Sequence, residues 1–424
     1  MKKRVRAILA FLLSIAEGAG YAQQRFPRPE FESGYVQPAP ELPAPRWLPL
    51  EYLDILVLVV VLLLASRFIF RKRSRKAILW LSVFSLGYFG FYRLGCICAI
   101  GSIQNVALAL FHPEYAIPLT ALAFFVIPLA FTLFQGRTFC AAACPLGAMQ
   151  DLLVARPVKL SPGVSKALGF IPYLYLGMAV LFAATGTEFI ICRYDPYVGI
   201  FRLDAGFIMV LLGIGFLLLG LFVARPYCRF LCPYGVILGW MSRFSKRHLS
   251  ITPAECIDCR LCAKSCPFDA IEPPAPAQPL ESRESNVRRL LVYAGLLPIL
   301  VVAGGYLGSR AHVLLSNAHP DVRLAELLAT HPEVKDDPDN LDVQAFLSSG
   351  KTTEELAEAA RAKRNEFYRG AMILGAFMGL VAGMMLINQV IFRRREDYEP
   401  NKSNCFSCGR CMDYCPVGKE PWTA

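Results

Sequence analysis

Residues 256–267 read CIDCRLCAKSCP and residues 405–416 read CFSCGRCMDYCP, so one Cys-x2-Cys-x2-Cys-x3-Cys-Pro run occurs twice in the chain. In two-cluster bacterial ferredoxins, the first three cysteines of such a run bind one iron–sulfur cubane, and the fourth binds the other cubane. Each run therefore needs the other to complete its cluster. We predict a first 4Fe-4S cluster on Cys256, Cys259, Cys262 and Cys415, and a second on Cys405, Cys408, Cys411 and Cys266.

Structural zinc and disulfides are the alternatives for these eight cysteines. Zinc sites place pairs of cysteines, or cysteine and histidine, across a longer loop, whereas three closely spaced cysteines followed by Cys-Pro suit a cubane. Disulfides require an oxidising compartment, and the topology described below puts both runs in the cytoplasm. We therefore predict a ferredoxin-like α+β domain that is assembled from two separated segments, residues 250–287 and 393–424.

The composition indicates a polytopic α-helical membrane protein. Of its 424 residues, 55% are hydrophobic and 18% are charged, and the net charge is +11. The basic residues cluster in short loops beside apolar segments, which is typical of membrane topology signals and argues against nucleic acid as a partner. About 20 apolar residues cross a bilayer. The seven segments within the usual range are residues 53–70, 77–100, 117–134, 169–191, 206–224, 290–307 and 370–392.

The ends of these segments predict the orientation of the chain. Residues 1–22 combine basic residues, a short apolar stretch and small residues, which is typical of a secretory signal peptide; an uncleaved anchor helix is the alternative. Residues 23–52 form a proline-rich arm that we expect to be exported. With the arm outside, every basic cluster falls inside. The prediction is a bacterial inner-membrane protein with a cytoplasmic ferredoxin domain.

Two further predicted spans separate the ferredoxin halves. Residues 288–307 would cross outward, residues 308–369 would form an exported helical insert, and residues 370–392 would cross back. Because this excursion returns to its starting side, the two halves can meet.

The membrane core, residues 53–249, contains a predicted two-helix repeat. Cys140-x3-Cys144-Pro145 follows the third span, and Cys228-x3-Cys232-Pro233 follows the fifth. A parallel repeat about an axis normal to the membrane would bring these four cysteines together. They could bind a further iron–sulfur or other metal centre, act as a reversible dithiol pair, or pack as small hydrophobic side chains.

Three more cysteines lie near the face that we predict to be exported. Cys96 and Cys98 end the second span and Cys192 ends the fourth. They could form a redox or metal site with an external ligand, or a disulfide, or simply pack. His112 is a lone candidate ligand nearby. Ionisable side chains at membrane depth are costly and often functional, and they could handle protons or form salt bridges: Arg93, Glu188, Arg193 and Asp195.

The pattern as a whole resembles the NosR/NapH-type membrane polyferredoxins. The resemblance rests on both Cys-x3-Cys-Pro motifs, on residues 192–196 (CRYDP) and 227–235 (YCRFLCPYG), and on the ferredoxin runs. It implies electron transfer between the quinone pool or cytoplasmic donors and exported reductases or flavoproteins. NosR-like proteins carry an exported flavin-binding domain before the first helix, but residues 23–50 are too short for one. Flavin is therefore expected only through a partner.

We expect the electron-transfer subunit of an oxidoreductase complex in a respiratory chain, without catalytic residues of its own. Its expected partners are an exported flavoprotein or reductase, the quinone pool or a cytoplasmic reductant, and other membrane subunits. Two alternatives stay open: a redox sensor or maturation factor for an exported metalloenzyme, and ion transport coupled to electron transfer.

Overall fold

The computed structural model describes residues 47–95, 98–202, 206–251, 256–274, 283–336, 340–391 and 395–417. The predicted signal peptide, most of the proline-rich arm and Cys96 lie outside these residues. The described fold is helical, with one antiparallel pair of two-residue strands.

Several helices are long and apolar enough to cross a membrane. Among the described residues these are Leu48–Arg71, Pro162–Ala184, Glu284–Ser316 and Thr353–Ile387. The bent pair Pro196–Arg202 and Phe207–Gly220 adds a fifth if it is counted as one span. Ala99–Phe111 and Leu119–Gln135 are apolar but shorter. Helix length thus supports a membrane protein with four or five spans in the described part of the chain, and the total of seven stays a prediction.

The first half of the chain contains both short and long helices. They are α1 (Leu48–Ser66), α2 (Arg75–Ser85), α3 (Ala99–Phe111), α4 (Leu119–Gln135), α5 (Pro145–Leu153), α6 (Pro162–Leu168), α7 (Ile171–Ala184), α8 (Ile190–Tyr194), α9 (Pro196–Arg202), α10 (Phe207–Gly220), α11 (Pro226–Phe230) and α12 (Pro233–Arg243). Three π-helical turns accompany them: Arg67–Arg71, Leu86–Tyr92 and Phe139–Ala143.

The second half contains the ferredoxin segments and a long helical hairpin. Its elements are α13 (Leu261–Ser265), β1 (Ile271–Glu272), α14 (Arg283–Ser316), α15 (Pro320–Thr330), the 3-10 helix Pro332–Asp336, α16 (Leu341–Ser348), α17 (Thr353–Ile387), β2 (Glu399–Pro400) and α18 (Arg410–Tyr414). Leu328, Val343, Phe346 and Leu356 form a separate small core between α15, α16 and the start of α17.

Helix α1 shows how the sequence forms the membrane core. Its buried residues Leu58, Leu62 and Ala65 recur at spacings of three and four, so they share one face. Leu56 and Leu63 on the outside are also apolar, yet they are exposed. A helix that is apolar on all sides is stable where lipid replaces water, which agrees with its assignment as a span.

The predicted span 77–100 is divided in the structure. Helix α2 continues through its π-helical turn to Tyr92, and the chain then turns before α3 begins at Ala99. Leu94 and Gly95 both have positive φ angles, 52° and 62°. A Cβ atom on Gly95 would lie 3.1 Å from the ring of Phe201. Hydropathy alone did not predict this break, because Leu94 and Gly95, which carry the positive φ angles, are no more polar than the residues around them.

Helices α14 and α17 pack through glycines. A Cβ atom on Gly304 would lie 2.2 Å from the carbonyl oxygen of Gly375, and one on Gly379 would lie 2.1 Å from that of Leu300. The two backbones are therefore in direct contact, which is the geometry that small residues allow between membrane helices.

We expect Gly304→Ala to destabilise this hairpin by about 1–3 kcal/mol, the usual cost of overpacking, since the obstructing atom belongs to the backbone. The measurement is the unfolding midpoint of the purified protein in detergent. Gly295→Ala is the matched control, because it lies on the same helix with nothing within 4 Å of its added Cβ atom. Equal midpoints for the two variants would contradict the close approach.

Candidate iron–sulfur sites

The two ferredoxin segments form one unit. Strands β1 and β2 pair antiparallel, with Ile271 opposite Pro400 and Glu272 opposite Glu399. Next to them, the Asn401 amide N–H donates to the Ala270 carbonyl at 2.7 Å. Residues that are more than 120 positions apart are thus joined by backbone hydrogen bonds, and the two cysteine runs come close together.

The first group of cysteines lines one cavity. Cys256, Cys259 and Cys262 come from the first run, and Cys415 comes from the second. This is the crossed grouping that the sequence predicts for the first cluster.

The second group is buried more deeply. Burial, together with the neighbouring thiols of Cys408 and Cys266, raises the pKa of Cys405 to about 12. Burial also raises the pKa of Cys411, and Cys405, Cys408 and Cys266 again add to the effect. Cys266 of the first run therefore lies with the three cysteines of the second run. Thiolates at such a site need a positively charged partner, and cluster irons suit this donor set.

The backbone has the same unusual conformation in both runs. Asp258 and Arg260 have positive φ angles of 51° and 60°, and Ser407 and Gly409 have 51° and 77°. These residues occupy matching places, two and four residues after the first cysteine. Turns of this kind can direct successive N–H groups inward, which suits a negatively charged group. Sequence reasoning missed them because only one of the four is glycine.

The four cysteines of the membrane motifs also lie together. Burial raises the pKa of Cys232, and the thiols of Cys228, Cys144 and Cys140 raise it further. Proline begins the helix that follows each motif, where its missing N–H costs no hydrogen bond.

Hydrogen-bond donors point at the sulfur atoms of this group. Gln150 Nε2 lies 3.2 Å from Cys228 Sγ, and the Gly235 amide lies 3.3 Å from Cys232 Sγ. Sequence reasoning missed Gln150. Within the described ranges, no group of three or more histidine, cysteine or carboxylate side chains is arranged to hold a single metal ion. Ligands of one zinc ion lie about 3.8 Å apart in a tetrahedron, whereas a cubane binds each thiolate through a different iron.

A second cavity lies beside this group. Cys98 and Cys144 both line it, together with the rings of Phe89, Phe124 and Phe201. Cys98, which we predict to lie near the exported face, and Cys144 of the first membrane motif thus border the same cavity. Cys192 lies close to α3, where its Sγ would be 3.1 Å from a Cβ atom on Gly101.

The ionisable residues of the membrane core are separated into pairs. Arg93 Nη2 lies 2.9 Å from Asp54 Oδ2, which is fully buried on α1. Arg193 pairs with Glu188. The four predicted residues therefore do not form one cluster, and sequence reasoning missed Asp54 because it lies alone in an apolar helix.

Asp195 and His112 also have partners within the protein. Tyr227 Oη donates to Asp195 Oδ2 at 3.0 Å, and Asp195 Oδ1 accepts from the amide of Tyr197 at 2.8 Å. His112 Nε2 lies 3.0 Å from the Ala184 carbonyl oxygen. This contact orients the His112 ring, and the ligand role of His112 stays a prediction.

Comparison with known proteins identifies these cysteine-rich segments. A family model described as "4Fe-4S binding domain" matches residues 117–162 and again residues 205–252. A second model with the same description matches residues 249–272. The matched segments include both membrane motifs and the first ferredoxin run. No solved structure matches the chain.

Relatives come from bacteria and archaea. An uncharacterized protein of Methanocaldococcus jannaschii is 28% identical over 43% of this chain and 77% of its own length. The regulatory protein NosR of Pseudomonas aeruginosa is 27% identical over 58% of this chain and 38% of its own length. The methylamine utilization ferredoxin-type protein MauN of Paracoccus denitrificans is 31% identical over 35% of this chain and 55% of its own length. The chain thus spans less than two thirds of the length of NosR and of MauN.

The apolar helices and the matches to 4Fe-4S binding domains are typical of membrane ferredoxins, the class of protein that this chain resembles. Within that class, the relatives confirm its resemblance to the NosR/NapH-type membrane polyferredoxins. Both findings support membrane-associated iron–sulfur electron transfer as the general function.

Proposed function

We propose that the chain is a membrane iron–sulfur electron-transfer subunit that relays electrons between a quinone or cytoplasmic donor and an exported flavoprotein or reductase. In this proposal the crossed cysteine groups hold two 4Fe-4S clusters, and Cys140, Cys144, Cys228 and Cys232 hold a further centre. The clusters supply one-electron carriers. The chain binds them, buries them and orients them, and the chemistry at both ends belongs to its partners.

One observation carries this proposal: each cysteine group shares a structural element, a charged side chain or a cavity with the next group. The two ferredoxin groups share one small unit, because the strand pair joins their segments. The charge of Arg225 interacts with Cys408 of the second group and with Cys140 and Cys228 of the membrane group. Cys98 and Cys144 then line the same cavity. This sequence of groups supports a path from the ferredoxin unit into the membrane.

The parallel repeat and the sidedness of the chain belong to the same proposal. The repeat is supported by one family model that matches the chain twice, over residues 117–162 and 205–252. The cytoplasmic ferredoxin domain and the exported insert are supported by the basic clusters at the ends of the apolar segments.

The experiment is anaerobic purification of the full chain with iron quantification and EPR spectroscopy. We expect about eight iron atoms per chain from the two ferredoxin clusters, and additional iron from the membrane centre. Cys228→Ser should lower the iron content and leave both ferredoxin signals intact. Iron equal to one cubane or less in the wild-type chain would reject the split ferredoxin. Unchanged iron in Cys228→Ser would reject a metal centre on the membrane group and favour the dithiol interpretation.

A regulatory role is the second candidate, since two relatives are named regulatory proteins. In that case the clusters report the redox state and do not sustain turnover. Steady electron transfer from a quinol to an external acceptor across proteoliposomes distinguishes the two, because only the relay predicts continuous flow.

A further inference from the structure

Two arginines occupy the same place in the two membrane motifs. Arg137 and Arg225 each lie three residues before the first cysteine of their motif. Each also lies against a glycine of the other motif: a Cβ atom on Gly235 would be 3.1 Å from Arg137 Nη2, and one on Gly147 would be 3.3 Å from Arg225 Nη1. The arginine before each motif thus packs against the glycine that follows the other motif, and each glycine leaves room for a guanidinium group.

Both guanidinium groups face the ferredoxin unit. The central carbon of Arg137 lies 4.4 Å from the centre of the Phe406 ring, and that of Arg225 lies 5.6 Å from it and 5.7 Å from the Phe268 ring. The two rings are 4.9 Å apart. Phe406 directly follows Cys405, so this aromatic pair lies beside the second ferredoxin group.

Further contacts tie this interface to the cysteines. Arg225 Nη1 donates to the Cys140 carbonyl at 2.6 Å, and Arg75 Nη1 donates to the Cys408 carbonyl at 2.7 Å. Arg137 Nη1 donates to the Ser403 carbonyl at 2.8 Å. Arginines of the membrane core therefore contact the backbone of both the membrane group and the second ferredoxin group.

The interface carries an excess of positive charge. We call Arg75, Arg137, Arg225 and Arg410 the arginine layer. Asp151 forms ion pairs with Arg75, Arg225 and Arg410. Burial alone would raise the pKa of Asp151, but these three arginines outweigh it and hold the pKa well below the usual range. Four positive charges and one negative charge leave a net charge of +3 among these five groups.

Such an excess is unfavourable unless anions lie beside it. Arg225 is fully buried and Arg137 nearly so, and burying an uncompensated ion costs several kcal/mol. The Nε atoms of both arginines lack a hydrogen-bond partner among the described residues. Four thiolates outweigh the charge of a cubane core, so a cysteine-bound cluster is an anion that satisfies this requirement.

We propose that the arginine layer acts as a cationic bridge that raises the reduction potentials of the second ferredoxin cluster and of the membrane centre. This proposal rests on the proposed function. Reduction adds a negative charge to a cluster, and a buried cation nearby stabilises the reduced form because the local dielectric is low. Arg225 is a positioning and tuning residue in this scheme, since it contacts both groups and ligates no iron.

The test is a redox titration of the purified full chain, followed by EPR, in variants that retain iron. Arg225→Gln should lower the potential of the second ferredoxin cluster by at least a tenfold change in the one-electron equilibrium, about 59 mV. Asp151→Asn removes the negative charge and should raise the same potential. Arg225→Lys keeps the charge and should shift it less. Arg247→Gln, at an exposed arginine, is the control.

The expected shifts have opposite signs in Arg225→Gln and Asp151→Asn. A purely structural role would not move the potential of the second ferredoxin cluster in opposite directions in these two variants. If Arg225→Gln loses iron, Arg137→Gln decides, because it removes the other buried positive charge of the arginine layer, whose guanidinium group lies over the Phe406 ring. The potential of the second ferredoxin cluster should also fall in this variant. Unchanged potentials in iron-replete variants would overturn the bridge, whereas a wild-type chain without clusters would overturn the proposed function itself.

Discussion

Cys415→Ser is expected to remove the cluster of the first run, although Cys415 belongs to the second. Cys415 lines one cavity with Cys256, Cys259 and Cys262, so these four residues should behave as one ligand set. Cys266→Ser should conversely remove the cluster of Cys405, Cys408 and Cys411. The measurement is EPR of the reduced protein together with its iron content, which should fall by up to one cubane in each variant.

The chain supplies its own control for this prediction. Cys411 lies four residues before Cys415 but belongs to the other group, so Cys411→Ser should resemble Cys266→Ser. Cys256→Ser should resemble Cys415→Ser despite a separation of 159 residues. If the spectra instead sort by run, so that Cys411→Ser and Cys415→Ser lose the same signal, the crossed assignment is wrong.

Asp54→Ala is expected to destabilise the membrane core by about 3–5 kcal/mol, the cost of leaving one partner of a buried ion pair uncompensated. Asp54 is completely buried, and Arg93 is only 17% exposed. Tyr88 Oη also donates to Asp54 at 2.8 Å. The measurement is denaturant or thermal unfolding of the purified protein in detergent.

Glu188→Ala is the matched control, because its partner Arg193 is 66% exposed and solvent screens such a pair. The double variant Asp54→Leu with Arg93→Met should recover much of the loss, since it removes both charges together. A similar, small effect of Asp54→Ala and Glu188→Ala would show that Asp54 does not compensate a buried charge.

Spacing carried most of the information about the candidate sites. The crossed grouping of the ferredoxin cysteines and the proximity of the two membrane motifs follow from short motifs and from the topology, and the structure places these residues together. Iron binding itself stays a prediction. The positive φ angles of Asp258, Arg260 and Ser407 could not be predicted, because residues of these types only rarely adopt that conformation.

The charged residues around the cysteines were not predicted from the sequence. Arg137 and Arg225 repeat at the same spacing before their motifs, so a search of the repeat for shared charges would have found them. Asp151 and Arg75 offer no such signal. They are 76 residues apart, and their importance depends on which side chains the folded core leaves buried beside the cysteines.

The sequence by itself determined the class of protein, because hydrophobic length, basic clusters and cysteine spacing are local properties that membrane insertion and metal ligation read directly. It also predicts that neither ferredoxin run is complete alone. Only the tertiary structure decided how the two runs meet the membrane motifs. That arrangement depends on the pairing of β1 with β2 and on the three arginines that pair with Asp151, of which Arg225 is fully buried. Such long-range contacts form only when the whole core packs.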